Sequence, residues 1–150
     1  MKIDIVGEEL LSPGLLDKVR LVTAPLRGLG GHMYIEFMDS AEWRQGYRSF
    51  IDVNVDDTIE MIVPVRGRSD ASILKTIKHE VSHILRGDMA VGSAFDLEPS
   101  GFVRGEIAAR RYAGQRVDEH ERKAIARNLC DKFGLSFEEA LRVLEGVAKR

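Results

Sequence analysis

Residues 69–87 read SDASILKTIKHEVSHILRG, and this stretch decides how the chain is interpreted. Ser69 and Asp70 are typical of a helix N-terminus, and Gly87 is typical of the position just after a helix ends, so the segment predicts a helix over about 70–86. On that helix His79 and His83 are four residues apart and therefore lie one turn apart on the same face. Two imidazoles in this arrangement can bind a single metal ion.

A projection at about 100° per residue separates the two histidines from the apolar side of this helix. The histidines fall almost opposite the apolar stripe, which predicts that they face a cleft or solvent; two ordinary solvated or packed histidines are the alternative. Glu80, between them, is placed to accept a proton from a metal-bound water, and zinc suits neutral imidazole ligands with one open position. The stripe comprises Ile73, Leu74, Ile77, Val81, Ile84 and Leu85.

A catalytic zinc normally takes a third ligand from the protein, and we expect it downstream of His83. Glu106 is the best candidate, because Ala109 and Ala113 follow on its own helix face and allow close approach to the histidine helix. An ordinary surface glutamate near a helix N-terminus is the competing interpretation. The other candidate ligands are Asp88, Asp96 and Glu98 in an irregular stretch over 88–101, and His120 in a charged segment.

The remaining patterns predict strands first and helices last, which is typical of an α+β fold. The N-terminal part is predicted to be a twisted sheet with one early helix, and the C-terminal part to be helical. Strands are expected at 2–6 and 32–38, a helix at about 13–23, and a hairpin from 47–55 and 59–65, with turns at 43–46 and 56–57. Further helices are expected at about 102–116, 118–133 and 136–148.

Length and composition indicate the broad class of protein. A chain of 150 residues predicts a single domain over 1–150 that folds without disulfides. Its N-terminus carries Asp4 inside a short apolar run, so we expect no secretory signal, and no apolar run reaches the roughly 18 residues of a membrane span. The lone Cys130 suits a reducing compartment, and the predicted location is cytoplasmic.

Charge gives little reason to expect direct nucleic-acid binding. The formal net charge is −2. Residues 1–101 contain 11 basic and 16 acidic side chains, whereas residues 102–150 contain 11 basic and 8 acidic side chains. The mildly basic tail is too weak a signal to predict a nucleic-acid site.

The motif residues together resemble a gluzincin, and more narrowly the ImmA/IrrE family of metallopeptidase domains. The segment His79–Asp88 is similar to that family's active helix, with a glycine four residues past the second histidine. The segment Glu106–Ala113 is similar to its second helix, with Ala109, Tyr112 and Ala113 in matching places. A weaker similarity covers Ile125-Ala126 and the segment 133–141. After Ala113 the chain departs from the family's hydrophobic continuation.

The resemblance implies a small zincin-like domain in which His79, His83 and Glu106 would bind Zn²⁺ and Glu80 would act as general base. Tyr112 becomes a candidate for stabilising the transition state, with Arg110 as the other neighbour of the ligand helix. The implied activity is hydrolysis of a peptide bond in a protein or peptide substrate, such as a transcriptional repressor of helix-turn-helix type.

Two alternatives differ in function. The chain could be a non-catalytic zinc-containing module that binds protein or DNA through its C-terminal helices, or a hydrolase of small amides that uses the same site. Glu80 favours an enzyme, because a structural zinc site does not require a carboxylate between its histidines. The apolar residues of the tail are predicted to complete the core instead of forming a separate docking unit; they are Ile125, Leu129, Phe133, Phe137, Leu141 and Leu144.

Overall fold

A computed structural model of the chain describes residues 1–41, 50–53 and 58–148. The chain forms two compact units, residues 1–81 and residues 82–150, and the division falls inside one continuous helix. Strands occupy the first unit and helices dominate the second, in agreement with the predicted α+β class. The turns predicted at 43–46 and 56–57 lie outside the described residues.

In the part of the first unit that the structure describes, four strands form a sheet with the order β1-β2-β4-β3. β1 pairs parallel with β2, and β2 pairs parallel with β4. β3 pairs antiparallel with β4, as the predicted hairpin over 47–55 and 59–65 requires, although residues 47–49 and 54–55 of that prediction lie outside the described residues. Alternate residues of β2, namely Met33, Ile35 and Phe37, are buried, as the period of two in a strand requires. The strands are β1 (Lys2–Val6), β2 (His32–Met38), β3 (Phe50–Val53) and β4 (Ile59–Pro64).

Helix α1 (Pro13–Thr23) connects the parallel strands β1 and β2, and its bounds confirm the prediction. The Ser12 hydroxyl accepts a hydrogen bond from the backbone N–H of Leu15, so the first turn is capped. A glycine is required before it: Gly7 has φ 80°, and a Cβ there would lie 2.4 Å from the carbonyl oxygen of Phe37.

Helix α2 (Asp70–Arg86) has the predicted bounds and buries Ile73, Ile77 and Val81 on its apolar stripe. Leu85 departs from the expected stripe, because it is 39% exposed near the helix end. The Ser69 hydroxyl accepts a hydrogen bond from the N–H of Ser72. Among the residues that the structure describes, no helix is both long enough and apolar enough to cross a membrane.

Over its described residues, 82–148, the second unit contains four further helices, and two of them correct the sequence prediction. The stretch 88–101 is not wholly irregular, because Ser93 caps a short helix and Pro99 begins the next one. That next helix ends at Tyr112 and not near residue 116, and Gly114 follows it with φ 79°. The helices are α3 (Ala94–Leu97), α4 (Pro99–Tyr112), α5 (Glu119–Phe133) and α6 (Phe137–Ala148).

Hydrogen-bonding caps fix the ends of the last two helices. The Asp118 carboxylate accepts from the N–H of Glu121 at the start of α5, and Gly134 ends that helix with φ 68°. At the start of α6, Ser136 and Glu139 exchange side-chain to backbone hydrogen bonds in a capping box. Hydrogen bonding to Ser136 holds the pKa of the Glu139 carboxyl below its ordinary value, and the bond to the Ser136 backbone has the largest effect.

The core of the second unit joins α4 to α5 and α6, so the tail packs as predicted. Phe137 is the exception, since it is 42% exposed. Aromatic rings extend this core, with Phe102 stacked on Phe95 and edge-on to Phe133, and the Lys132 ammonium lies within 6 Å of all three ring centres. The core residues are Phe102, Val103, Ile125, Ala126, Leu129, Ala140 and Leu144.

We expect Leu129→Ala to lower the free energy of unfolding by about 3 kcal/mol, because it removes a fully buried side chain and leaves a cavity. Chemical denaturation followed by circular dichroism measures the loss. Leu97→Ala is the matched control, since that side chain is 64% exposed and its truncation costs little. Equal losses in the two variants would contradict the assignment of Leu129 to the core.

Candidate metal centre

One potential ligand atom from each of His79, His83 and Glu106 lies within 4.8 Å of the other two. The two histidines lie one turn apart on the continuous helix α2, and Glu106 lies in the second turn of α4. The Nε2 atom of His83 is 3.1 Å from Oε2 of Glu106. Ligand atoms around a tetrahedral zinc with bonds near 2.0–2.1 Å are about 3.4 Å apart. The pair at 3.1 Å is already close to this spacing, and the other donor atoms lie no more than 4.8 Å apart before any ion draws them together.

His83 is buried, although the helical projection predicted a ring that faces a cleft or solvent. Its exposed fraction is 4%, because the chain reverses at Gly87 and the following residues cover the imidazole. The Asp88 carboxylate accepts a hydrogen bond from Nδ1 at 2.9 Å, and the Phe95 ring lies 4.7 Å away. Helical periodicity describes only α2 itself, so it carries no information about this covering segment.

Arg110 links the Glu106 carboxylate to helix α5. Its Nη1 lies 3.4 Å from Oε2 of Glu106, and its Nε donates a hydrogen bond to Oε2 of Glu121 at 2.7 Å. The arginine is 7% exposed, and buried carboxylates need such partners to offset the loss of hydration. The spacing of four residues between Glu106 and Arg110 is the signal in the sequence that could have identified the pair.

Two further residues singled out from the sequence, Glu80 and Tyr112, differ in their placement. Glu80 is half-buried beside His79 on α2, whereas Tyr112 is 45% exposed. Tyr112 lies six residues beyond Glu106, which places it about 120° around α4 and about 9 Å further along its axis. Its role in catalysis stays a prediction.

Within the described part of the chain, the alternative third ligands do not join the cluster. Asp88 contacts the opposite ring nitrogen of His83, and Asp96 pairs with Lys132 at 3.4 Å. Glu98 and His120 are exposed. Glu106 is therefore the carboxylate that the fold brings to the two histidines.

Comparison of the sequence with protein-family models, with curated proteins and with solved structures finds no match. The chemistry of the donor set is therefore the basis for interpreting the site. Two imidazoles and one carboxylate form a set that recurs in catalytic zinc sites, where the fourth position is left to water or substrate.

We expect Arg110→Met to lower the free energy of unfolding by about 3 kcal/mol, because it leaves the Glu106 carboxylate buried without its cation. Urea denaturation of the metal-free chain measures the effect. Arg111→Met is the matched control, since Arg111 is the exposed neighbour on the same helix. A similar small effect in both variants would show that Arg110 does not stabilise Glu106.

Proposed function

We propose that this chain is a zinc-dependent metallopeptidase with His79, His83 and Glu106 as metal ligands and Glu80 as general base. The convergence of the three donor atoms within 4.8 Å is the observation that supports it. His79 and His83 belong to one short sequence motif. Glu106 lies 23 residues beyond His83 in the sequence, and only the folding of the chain brings it next to them. A chance pair of surface histidines does not account for a buried carboxylate at 3.1 Å from His83.

The proposed reaction divides the chemistry between the metal and the protein. Zinc, when bound, supplies a Lewis acid that polarises the scissile carbonyl and increases the acidity of water. Glu80 accepts the proton of the attacking water and donates it to the departing amine. Glu106 contributes negative charge to the site. Arg110, on the same helix α4 and paired with Glu121 of α5, holds the Glu106 carboxylate in place.

The resemblance to ImmA/IrrE domains supplies the finer parts of the proposal. It suggests a zincin-like fold, a location in the cytoplasm, and a protein or peptide substrate such as a helix-turn-helix repressor. The non-catalytic alternative, in which the C-terminal helices dock a partner, has less support. The main apolar residues of α5 and α6 are buried together with α4 and are not available for docking.

We expect the purified chain to bind about one zinc ion per molecule, and His79→Ala or His83→Ala to abolish this binding. Glu106→Ala is expected to weaken it strongly, because one of three donors is removed. Equilibrium dialysis with elemental analysis gives the stoichiometry. His120→Ala is the control, since His120 is exposed and lies outside the cluster.

Full zinc retention in a folded His79→Ala, His83→Ala double variant would overturn the proposed site. Loss of zinc in the Asp96→Ala or Glu98→Ala variant, with retention in Glu106→Ala, would instead transfer the third ligand to the segment before α4. Circular dichroism of each variant confirms that the chain remains folded.

Glu80→Gln tests the general base. The change keeps the size of the side chain and removes its ability to accept the proton, so we expect zinc binding to persist and hydrolysis to fall by a factor of about 10² or more. Cleavage of a peptide library by the zinc-loaded chain, read by mass spectrometry, provides the rate. Glu119→Gln is the control on an exposed helix start. Unchanged cleavage by Glu80→Gln at the same bonds would exclude this role.

A further inference from the structure

Both ring nitrogens of His83 face carboxylates. Nε2 lies 3.1 Å from Glu106, and Nδ1 lies 2.9 Å from Oδ2 of Asp88. Asp88 is itself buried, with 8% exposure, and its backbone N–H donates a hydrogen bond to the carbonyl of His83. The turn after α2 thus attaches Asp88 to His83 through both its backbone and its side chain.

Further contacts fix the position of Asp88. Nε of Arg86 lies 3.3 Å from Oδ2 of Asp88, and the Ser93 hydroxyl donates a hydrogen bond to the Asp88 carbonyl at 2.9 Å. The Phe95 ring packs against the His83 imidazole from the start of α3. The carboxylate therefore meets the imidazole in a constrained, largely dry environment, where a charge-assisted hydrogen bond is strong.

Gly105 provides the space that this arrangement needs. A Cβ at position 105 would lie 2.8 Å from Oδ2 of Asp88 and 2.5 Å from Cδ2 of Phe95. A glycine inside a helix costs about 1 kcal/mol relative to alanine, so its presence in the middle of α4 needs a reason. The close approach of Asp88 and Phe95 to the α4 backbone is that reason.

We propose that Asp88 is a positioning residue that orients His83 for metal binding, and that Gly105 makes room for its carboxylate. This inference rests on the proposed metallopeptidase function. The Asp88 carboxylate, as the acceptor at Nδ1 of His83, keeps the imidazole proton on that nitrogen. The lone pair of the other ring nitrogen, Nε2, then points towards Glu106, on the side where the metal would bind. Asp88, one of the candidate third ligands from the sequence, thereby acts through His83 from the opposite edge of the ring.

The test measures zinc affinity of the full chain by competition with a chelator. We expect Asp88→Ala to weaken zinc binding by about 10- to 100-fold. Asp88→Asn retains an acceptor oxygen and is expected to fall between Asp88→Ala and the unaltered chain. The visible spectrum of the Co²⁺-loaded chain provides a second readout, which should change in Asp88→Ala because the geometry of the His83 ligand is altered.

Two controls separate positioning from general destabilisation. Asp96→Ala removes a carboxylate from the same segment, outside the cluster, and should leave zinc affinity and the Co²⁺ spectrum unchanged. Gly105→Ala should weaken zinc binding, whereas Gly146→Ala places a Cβ in open space on α6 and should not. Circular dichroism identifies any variant that fails to fold.

The outcomes distinguish this inference from the proposed function. If the His79→Ala and His83→Ala variants retain zinc, the metal site itself is wrong and the role of Asp88 falls with it. If those variants lose zinc while Asp88→Ala and Asp88→Asn bind it with unaltered affinity, the site stands and the positioning role is overturned. Should Asp88→Ala not fold, Asp88→Asn decides: weaker binding supports the role and equal binding overturns it.

Discussion

The buried His83 imidazole, held between the carboxylates of Asp88 and Glu106, is the interaction on which the candidate site depends. Removing carboxylates from water is costly unless each finds a charged or hydrogen-bonding partner. Here the partners come from separate elements, because His83 lies on α2, Asp88 on the following turn and Glu106 on α4. Arg110 extends the network to Glu121 on α5. The helices α4 and α5 are therefore held together both by these polar contacts and by the apolar core of the second unit.

The aromatic side chains connect the site to that core. Phe95 lies against the His83 ring and also stacks on Phe102. Phe102 belongs to the cluster that holds α5 and α6 on α4. The C-terminal helices thus pack on α4 and on the aromatic rings that lie beside His83.

Local patterns in the sequence were sufficient to predict most elements and the three residues that the fold brings together. The bounds of β1, β2, α1 and α2 follow from alternation, capping residues and apolar spacing, and each is confirmed. The burial of His83 and the helix α3 were not predicted, because both depend on how the chain reverses after Gly87. Periodicity describes a helix in isolation and does not register what folds over it. The parallel pairing of β1, β2 and β4 is likewise a property of topology and not of any one strand.

The close packing at Gly105 constrains how this sequence can diverge. Any side chain at position 105 would occupy the volume now filled by Asp88 and Phe95, so a substitution there is tolerated only if both of those residues shrink or move. Positions 88, 95 and 105 should therefore vary as a group among related chains. A lineage that replaced both the aspartate and the phenylalanine with smaller residues would be released from the need for glycine, and would recover the helix stability that an alanine provides.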